Sequence, residues 1–422
     1  MKPKNIYHLL LKEIENQGEA SSDIIKEFRT IISFENISKR EKFISKYKHI
    51  NVLSKIDFIP SLITVLDTQQ ILKFEGEELI KRIEEDQKLF LSLIEVNDIL
   101  DLNKGKKSQI SHTGKNVKIG IVDNGINSNF LSIANVSRYY NNKKELKKEL
   151  GNQITHGTIM AGIIGNQFND LKNNPIGIAP DANLIDFDIS NTKEEYYFSS
   201  VLQVFDSIIK ENILVDVLLI SLISNHPSDG MDILSYACDM MVEKGIIIVC
   251  PAGNFGPKAT SVGSPGAAKK VISFGSLTKN LTITPFSGRG PTIDNRIKPD
   301  FCLPGSRIQF PLTDELKVTV TGTSVAAAIG AGLVALIKEF EPKMSYNEIF
   351  ELLKMSSRNL ELDNFSQGYG MPNIIALFED LNLIHEKIVP YKYLIKNSMR
   401  IAVEFIVILI VLFYVIYFFR VT

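Results

Sequence analysis

The hydrophobic pattern changes period along the chain. Residues 30–34 alternate as a strand does, 38–47 have helical spacing with a polar face, and 50–53 and 61–66 read as two more strands. Residues 69–83 read as a helix and 89–96 as a closing strand. From Val117 onward the apolar runs become nearly continuous, over 117–122, 182–189, 215–222 and 246–249, as strands buried in a parallel sheet do. Helical stretches at 199–210 and 233–244 separate them. Alternation at this spacing predicts an α/β fold with a doubly wound, mostly parallel sheet and right-handed crossovers.

The earlier pattern has the order β-α-β-β-α-β, which predicts a small ferredoxin-like α+β module over 28–102, after an N-terminal helix or tail at 1–27. A polar stretch at 103–116 is the expected linker, and 117–380 the large domain. A basic segment, 381–400, follows, and then 401–419, which is apolar except for Glu404. That length is at the lower end of what spans a bilayer. Phe413, Tyr414, Tyr417, Phe418 and Phe419 cluster toward one end, as interface aromatics do. The expectation is a C-terminal transmembrane helix, a single-pass tail anchor with the lipid bilayer as partner. Lys387, Lys392, Lys396 and Arg400 before the span, against Arg420 after it, place the large domain in the cytosol. Residues 1–16 lack the apolar core of a signal peptide. The rival readings are a buried core helix at 401–419 and a large domain outside the cell.

Composition narrows the partners. Charged residues make up 23% of 422 and the net charge is −1, so no nucleic-acid partner is implied. Lys143, Lys144, Lys147 and Lys148 alternate with Glu145 and Glu149, the pattern of a solvated helix face. Cys238, Cys250 and Cys302 lie far apart without metal-ligand spacing, which fits a reducing compartment and implies neither metal nor cofactor.

Four local patterns carry chemistry. The β-branched run 318–321 leads into Gly322-Thr323-Ser324-Val325 and a small-residue apolar helix, so Ser324 falls in a first helical turn. A serine there is exposed to a ligand, and its own N–H is one of the helix's unpaired donors. Asp123-Asn124-Gly125 ends a strand, where α/β folds place functional groups. His156 opens another small-residue helix, and Asn254 follows a strand end and a glycine. Taken singly, each has a bland alternative: an Asx turn, a satisfied histidine, a turn asparagine, an N-cap. Together Asp123, His156 and Ser324 can form a nucleophilic triad. The Asn254 amide and the Ser324 backbone N–H can face an oxyanion.

The order and local sequences resemble the subtilase family of serine peptidases over residues 117–378. Asp123-Asn124-Gly125, His156-Gly157-Thr158, Ala252-Gly253-Asn254 and Gly322-Thr323-Ser324-Val325-Ala326 carry the resemblance, with Asn124 and Val325 departing from the commoner residues. So do residues 286–291 and 298–300, with Pro304-Gly305. The resemblance implies a subtilisin-like fold and a serine endopeptidase acting on a peptide or protein. Asp123, His156 and Ser324 would be catalytic, Asn254 would hold the oxyanion, and Leu219, Ser221, Leu222, Ile223, Ala252 and Gly253 would bind substrate, extended along 218–221. Ile223 stands where the family usually has glycine, which implies a narrowed pocket for the residue before the cleaved bond. The N-terminal module resembles the family's inhibitor-like propeptide. Self-cleavage is then expected between Asp101 and Lys118, or else the module is a permanent cap. The expectation is thus a membrane-anchored serine endopeptidase. Its rivals are a dedicated leader-peptide maturation protease and a non-catalytic peptide-binding scaffold.

Overall fold

The computed structural model describes residues 5–18, 27–91, 95–97, 112–133, 135–140, 143–144, 150–151, 153–168, 176–191, 193–313, 316–374 and 376–377. The chain divides into two compact units, Met1–Pro372 and Asn373–Thr422. The elements below belong to the first.

Near the N-terminus come α1 (His8–Gly18), β1 (Glu27–Phe34), α2 (Ile37–Lys46), β2 (Val52–Ile56), β3 (Ser61–Asp67), α3 (Thr68–Lys73) and β4 (Ile80–Glu85). Local chemistry sets their ends. The Asn36 side chain caps α2 by accepting from Lys39 N, and Asp67 and Gln70 form a capping box on α3. The four strands form an antiparallel sheet in the order β2-β3-β1-β4. One sheet face, with Phe28, Ile32, Phe34 and Leu62, packs on Phe43, Ile71 and Phe74. The other face, with Ile31 and Ile63, joins the core built by Val201, Leu202 and Phe205. Both faces are therefore covered, one by the sheet's own helices and one by the large domain.

Two features depart from the sequence pattern here. The helix expected at 69–83 stops after one and a half turns, because Gly76 takes a left-handed conformation, φ 75°, and turns the chain. Residues 80–85 are then the fourth strand, paired with β1. The expected closing strand splits into β5 (Lys88–Leu91) and β6 (Glu95–Asn97), neither of which joins this sheet.

The large domain runs β7 (Lys118–Asp123), β8 (Asn135–Tyr140), β9 (Lys143–Lys144), α4 (His156–Gly165), β10 (Asn183–Asp188), β11 (Tyr196–Tyr197), α5 (Phe198–Lys210), β12 (Val217–Ile220), β13 (Leu222–Ser224), α6 (Ile233–Glu243), β14 (Ile247–Pro251), β15 (Ile272–Leu277), β16 (Phe301–Pro304), β17 (Ile308–Pro311), β18 (Lys317–Thr321), α7 (Thr323–Phe340) and α8 (Tyr346–Met355). The main sheet has the order β16-β15-β14-β12-β7-β10-β8-β9. All its pairings are parallel except β8 with β9. This is the parallel sheet that the continuous apolar runs predict. Lys143 and Lys144 lie on a short strand against Tyr140 and Tyr139, not on the expected helix face.

The expected C-terminal membrane helix does not stand. Residues 401–419, with the linker residues 103–111 and all of 381–400, lie outside the described residues. Among the described residues the one helix long and apolar enough to cross a membrane is Thr323–Phe340, and 83% of its apolar window is buried. That helix packs against β14, β15 and α4 inside the large domain, so its apolarity belongs to a core helix. A tail-anchored topology with a cytosolic catalytic domain is not supported.

Carboxylates join the N-terminal sheet to the large domain. Glu84 accepts from Ile233 N at 2.8 Å, at the start of α6. Asp86 accepts from Ser199 N at 2.8 Å and Ser199 Oγ at 2.6 Å, at the start of α5, and from Arg29 Nε at 2.6 Å. Each fills an unpaired donor of a helix start, where the dipole favours negative charge. Burial nevertheless dominates. It pushes Glu84 up to about 8 against the opposing Arg82 guanidinium 2.9 Å away, and it raises Asp86 as well. Asp232 and Asp229 face Glu84 from the large domain and add to its shift. Tyr7 and His8 both lie against Asp229. The folded state thus holds a proton on Glu84 that the unfolded chain gives up at its ordinary value of 4.5. The stabilisation is complete below that value and is lost as pH rises to about 8. Comparing urea unfolding of the Ser324→Ala chain with and without Glu84→Gln across this range, we expect the parent to lose more stability than the variant. Parallel curves would contradict the assignment.

Candidate active site

Four elements of the main sheet and its helices bring the expected residues together. Asp123 ends β7, His156 opens α4, and Ser324 opens α7; they are 0%, 6% and 0% exposed. His156 Nδ1 lies 2.6 Å from Asp123 Oδ2, and its Nε2 lies 3.0 Å from Ser324 Oγ. The three groups therefore form one line through the imidazole, the arrangement that passes a proton from a hydroxyl to a ring nitrogen.

The Asp123 carboxylate is held from several sides. Asn124 N donates to Oδ1 at 2.7 Å, and the Ser221 hydroxyl makes a short hydrogen bond to Oδ2. Asn124 Oδ1 in turn accepts from Gly157 N at 3.0 Å, tying the loop after β7 to the first turn of α4. The Thr155 side chain caps α4 by accepting from Thr158 N and bonds Gly125 O. The next residue of that loop, Ile126, is clamped through its main chain. Asp186 Oδ2 accepts from Ile126 N at 2.9 Å, and the Arg138 guanidinium donates to Ile126 O. Arg138 Nε reaches Asp186 Oδ2 at 2.6 Å, but burial outweighs the guanidinium and pushes Asp186 up to about 6. Burial, then the Asp123 charge, also pushes the Tyr196 hydroxyl to about 12.

Asn254 lies beyond β14. Its Oδ1 accepts from Thr323 N at 3.0 Å and Thr323 Oγ1 at 2.9 Å, which fixes which end of the amide is which. The amide's donor end, Nδ2, is then the end not used toward Thr323. In the sequence Thr323 reads only as an N-cap alternative to Ser324 or as part of the nucleophile motif, and its bonds to Asn254 show only in the fold.

The expected substrate residues fall in different places. Leu219 does not reach the groove. It sits in β12, fully buried, paired on one side with Ile121 and on the other with Val249, so its main chain has no bond to offer a peptide. The extended segment that pairs with a strand of the N-terminal part is Leu222–Ser224, further along than the expected 218–221. Ser221 turns its hydroxyl to Asp123 and Val122 O, away from a ligand. Ala252 packs with Val262 and Ala267, and Gly253, at φ 98°, gives its N–H to Thr323 Oγ1.

The groove strand already has a partner. β5 lies between β11 and β13, antiparallel to both, with Leu89 opposite Tyr196 and Ser224, and Leu91 opposite Leu222. β6 is antiparallel to β18, with Glu95 opposite Thr321. The N-terminal segment is therefore paired on both sides of the triad.

Gly157 is where the two triad loops touch. A Cβ there would fall 2.6 Å from Gly125 O and 3.1 Å from Asp123 Cβ, both parts of packed structure. At Gly165, in the same helix, a Cβ would meet only the Leu184 side chain at 3.2 Å. Gly157→Ala should lower stability by about 1–3 kcal/mol, while Gly165→Ala, with better helix propensity, should stay close to neutral. Thermal unfolding checks this, and equal effects of the two would contradict the contact.

The sequence pattern of the subtilase family matches residues 114–371. Serine protease AprX of Bacillus subtilis (strain 168) is 30% identical over 277 residues, 57% of this chain and 61% of AprX. Subtilisin DY of Bacillus licheniformis is 28% identical over 280 residues, 66% of this chain and 96% of that protein. The human membrane-bound transcription factor site-1 protease is 28% identical over 290 residues, but those are 26% of its length. Among solved structures, fervidolysin from Fervidobacterium pennivorans, described as a keratinolytic enzyme related to subtilisin, has a TM-score of 0.65 at 18% identity. The likeness covers 85% of this chain and 62% of that one. The chain thus spans less than two thirds of both AprX and the fervidolysin chain. With the family pattern covering the whole Asp123–His156–Ser324 constellation, this chain belongs to the subtilase family.

Proposed function

We propose that this chain is a serine endopeptidase whose N-terminal module lies in the substrate groove as a cap. The observation that carries the first half is the continuous line of hydrogen bonds from Asp123 through His156 to Ser324. Ser324 Oγ attacks a peptide carbonyl as His156 Nε2 takes its proton. Asp123 keeps the Nδ1 proton in place and stabilises the imidazolium. Asn254 Nδ2 and the Ser324 N–H, at the start of α7, stabilise the oxyanion. His156 then returns the proton to the leaving amine. The names of the relatives, two serine or subtilisin proteases and a site-1 protease, agree with this class.

Labelling with a fluorophosphonate probe tests it. Ser324 should be modified, and the Ser324→Ala and His156→Ala chains should not. Asn254→Ala should lower kcat on the order of a hundred- to a thousandfold while KM changes little. A wild-type chain that stays unlabelled would favour a non-catalytic scaffold.

The pairing of β5 between β11 and β13 supports the cap, because an added antiparallel strand is how extended peptides bind a sheet edge. The module would act as a propeptide, holding the groove with a segment of its own. Leu91 is paired with Leu222, next to Ser221, and Glu95 with Thr321, three residues before Ser324. Self-cleavage is therefore proposed within 91–95, upstream of the linker where the sequence placed it. Mass spectrometry of the wild-type chain should find a new N-terminus within 92–95, absent from Ser324→Ala. A cut at 101–118, or none, would contradict the placement.

A further inference from the structure

Ile223 is buried outside the main hydrophobic cluster. It is 1% exposed, yet its neighbour Leu222 joins the main hydrophobic cluster and Ile223 does not. Alternation explains the difference, since successive strand residues point to opposite faces. Residues opposite each other in an antiparallel pair share a face. Leu222 and its partner Leu91 therefore point one way, and Ile223 and Phe90 the other. On that second face the Phe90 ring meets the Phe255 ring edge-on, with centroids 6.4 Å apart.

Ile223 fills this face toward the Asn254 loop. Its Cγ1 lies 3.4 Å from where a Cβ on Gly253 would stand, and its Cδ1 lies 3.1 Å from where a Cβ on Gly266 would stand. The space between those two glycines is thus taken by a branched side chain. It adjoins Asn254, the residue that follows Gly253.

A peptide bound in the register of β5 places a side chain on the Ile223 face at the position opposite Ile223, and again two residues later, opposite Ser221. Ser221 bonds the triad carboxylate, so that second position borders the bond to be cut. We propose that Ile223 is the residue that sets specificity there, limiting the substrate side chain just before the cut to glycine, alanine or serine. This rests on the peptidase reading above. On the other face the same register puts a large aliphatic residue, as Leu89 is, into the core contact beside α5.

The test uses the full-length chain with two peptidyl phosphonates that share a Leu-Phe-Leu sequence and end in the alanine or the phenylalanine analogue. A small fluorophosphonate serves as the reference for the nucleophile itself. Any competition from the N-terminal segment is common to both peptidyl probes and cancels in their ratio. For the wild type the alanine probe should label Ser324 faster by about 10- to 100-fold, the range that shape rejection in an apolar pocket supplies. Ile223→Val should narrow that ratio and Ile223→Ala should narrow or invert it, each peptidyl rate being divided by the same variant's reference rate. Two variants of graded size keep the result readable if the smaller one folds poorly. Equal labelling of the wild type by both probes overturns the proposal, as does a ratio that the variants leave in place. Reference labelling with neither peptidyl probe accepted also overturns it while leaving the nucleophile standing. Failure of all three probes sinks the peptidase reading and this one with it.

Discussion

A carboxylate buried at the end of a central strand is the constraint on which the site depends. Asp123 is fully enclosed, and a charge in that position is tolerable only with donors on every side. The structure supplies His156 Nδ1, the Ser221 hydroxyl and Asn124 N. Each donor drags an element with it. His156 brings the start of α4, Ser221 brings the end of β12, and Asn124 binds back to Gly157. The Arg138–Asp186 pair, on the neighbouring strands β8 and β10, then pins the loop through Ile126. Satisfying one anion thereby fixes where the imidazole points, and the imidazole fixes which hydroxyl it meets.

The same chemistry recurs where the N-terminal sheet docks. Glu84 and Asp86 reach the starts of α6 and α5, so that helix donors hold carboxylates from another part of the chain. Apolar contact does the larger share of the holding, through Ile31, Ile56 and Ile63 against the α5 core. The sheet has two apolar faces because it has two partners. Its trailing segment continues from β4 into β5, which pairs between β11 and β13.

Much of this was legible in the residues. Strand ends carrying Asp123 and Asn254, and helix starts carrying His156 and Ser324, follow from continuous apolar runs broken by glycine and small residues, which only a parallel sheet explains. The misreadings have physical causes. Residues 69–83 look helical because Leu72, Leu79, Ile80 and Ile83 keep an approximate helical spacing, while the decisive residue is Gly76. The groove strand was set too early because residues 217–223 are apolar except for Ser221, and nothing in them marks where pairing with β7 and β14 ends. The Thr323–Asn254 bond and the Arg138–Asp186 pair could not be read, since no local pattern marks contacts across 69 and 48 residues. An apolar stretch of membrane length is likewise ambiguous in sequence, and Thr323–Phe340 shows such a stretch serving as a core helix.

The most direct test of the account is a crystal structure of the chain after reaction with a phosphonate that mimics the tetrahedral intermediate. The account predicts phosphorus on Ser324 Oγ, its oxygen accepting from Asn254 Nδ2 and the Ser324 N–H, and His156 still bridging to Asp123. Phosphorus on another residue, or an oxygen turned away from Asn254, would contradict it.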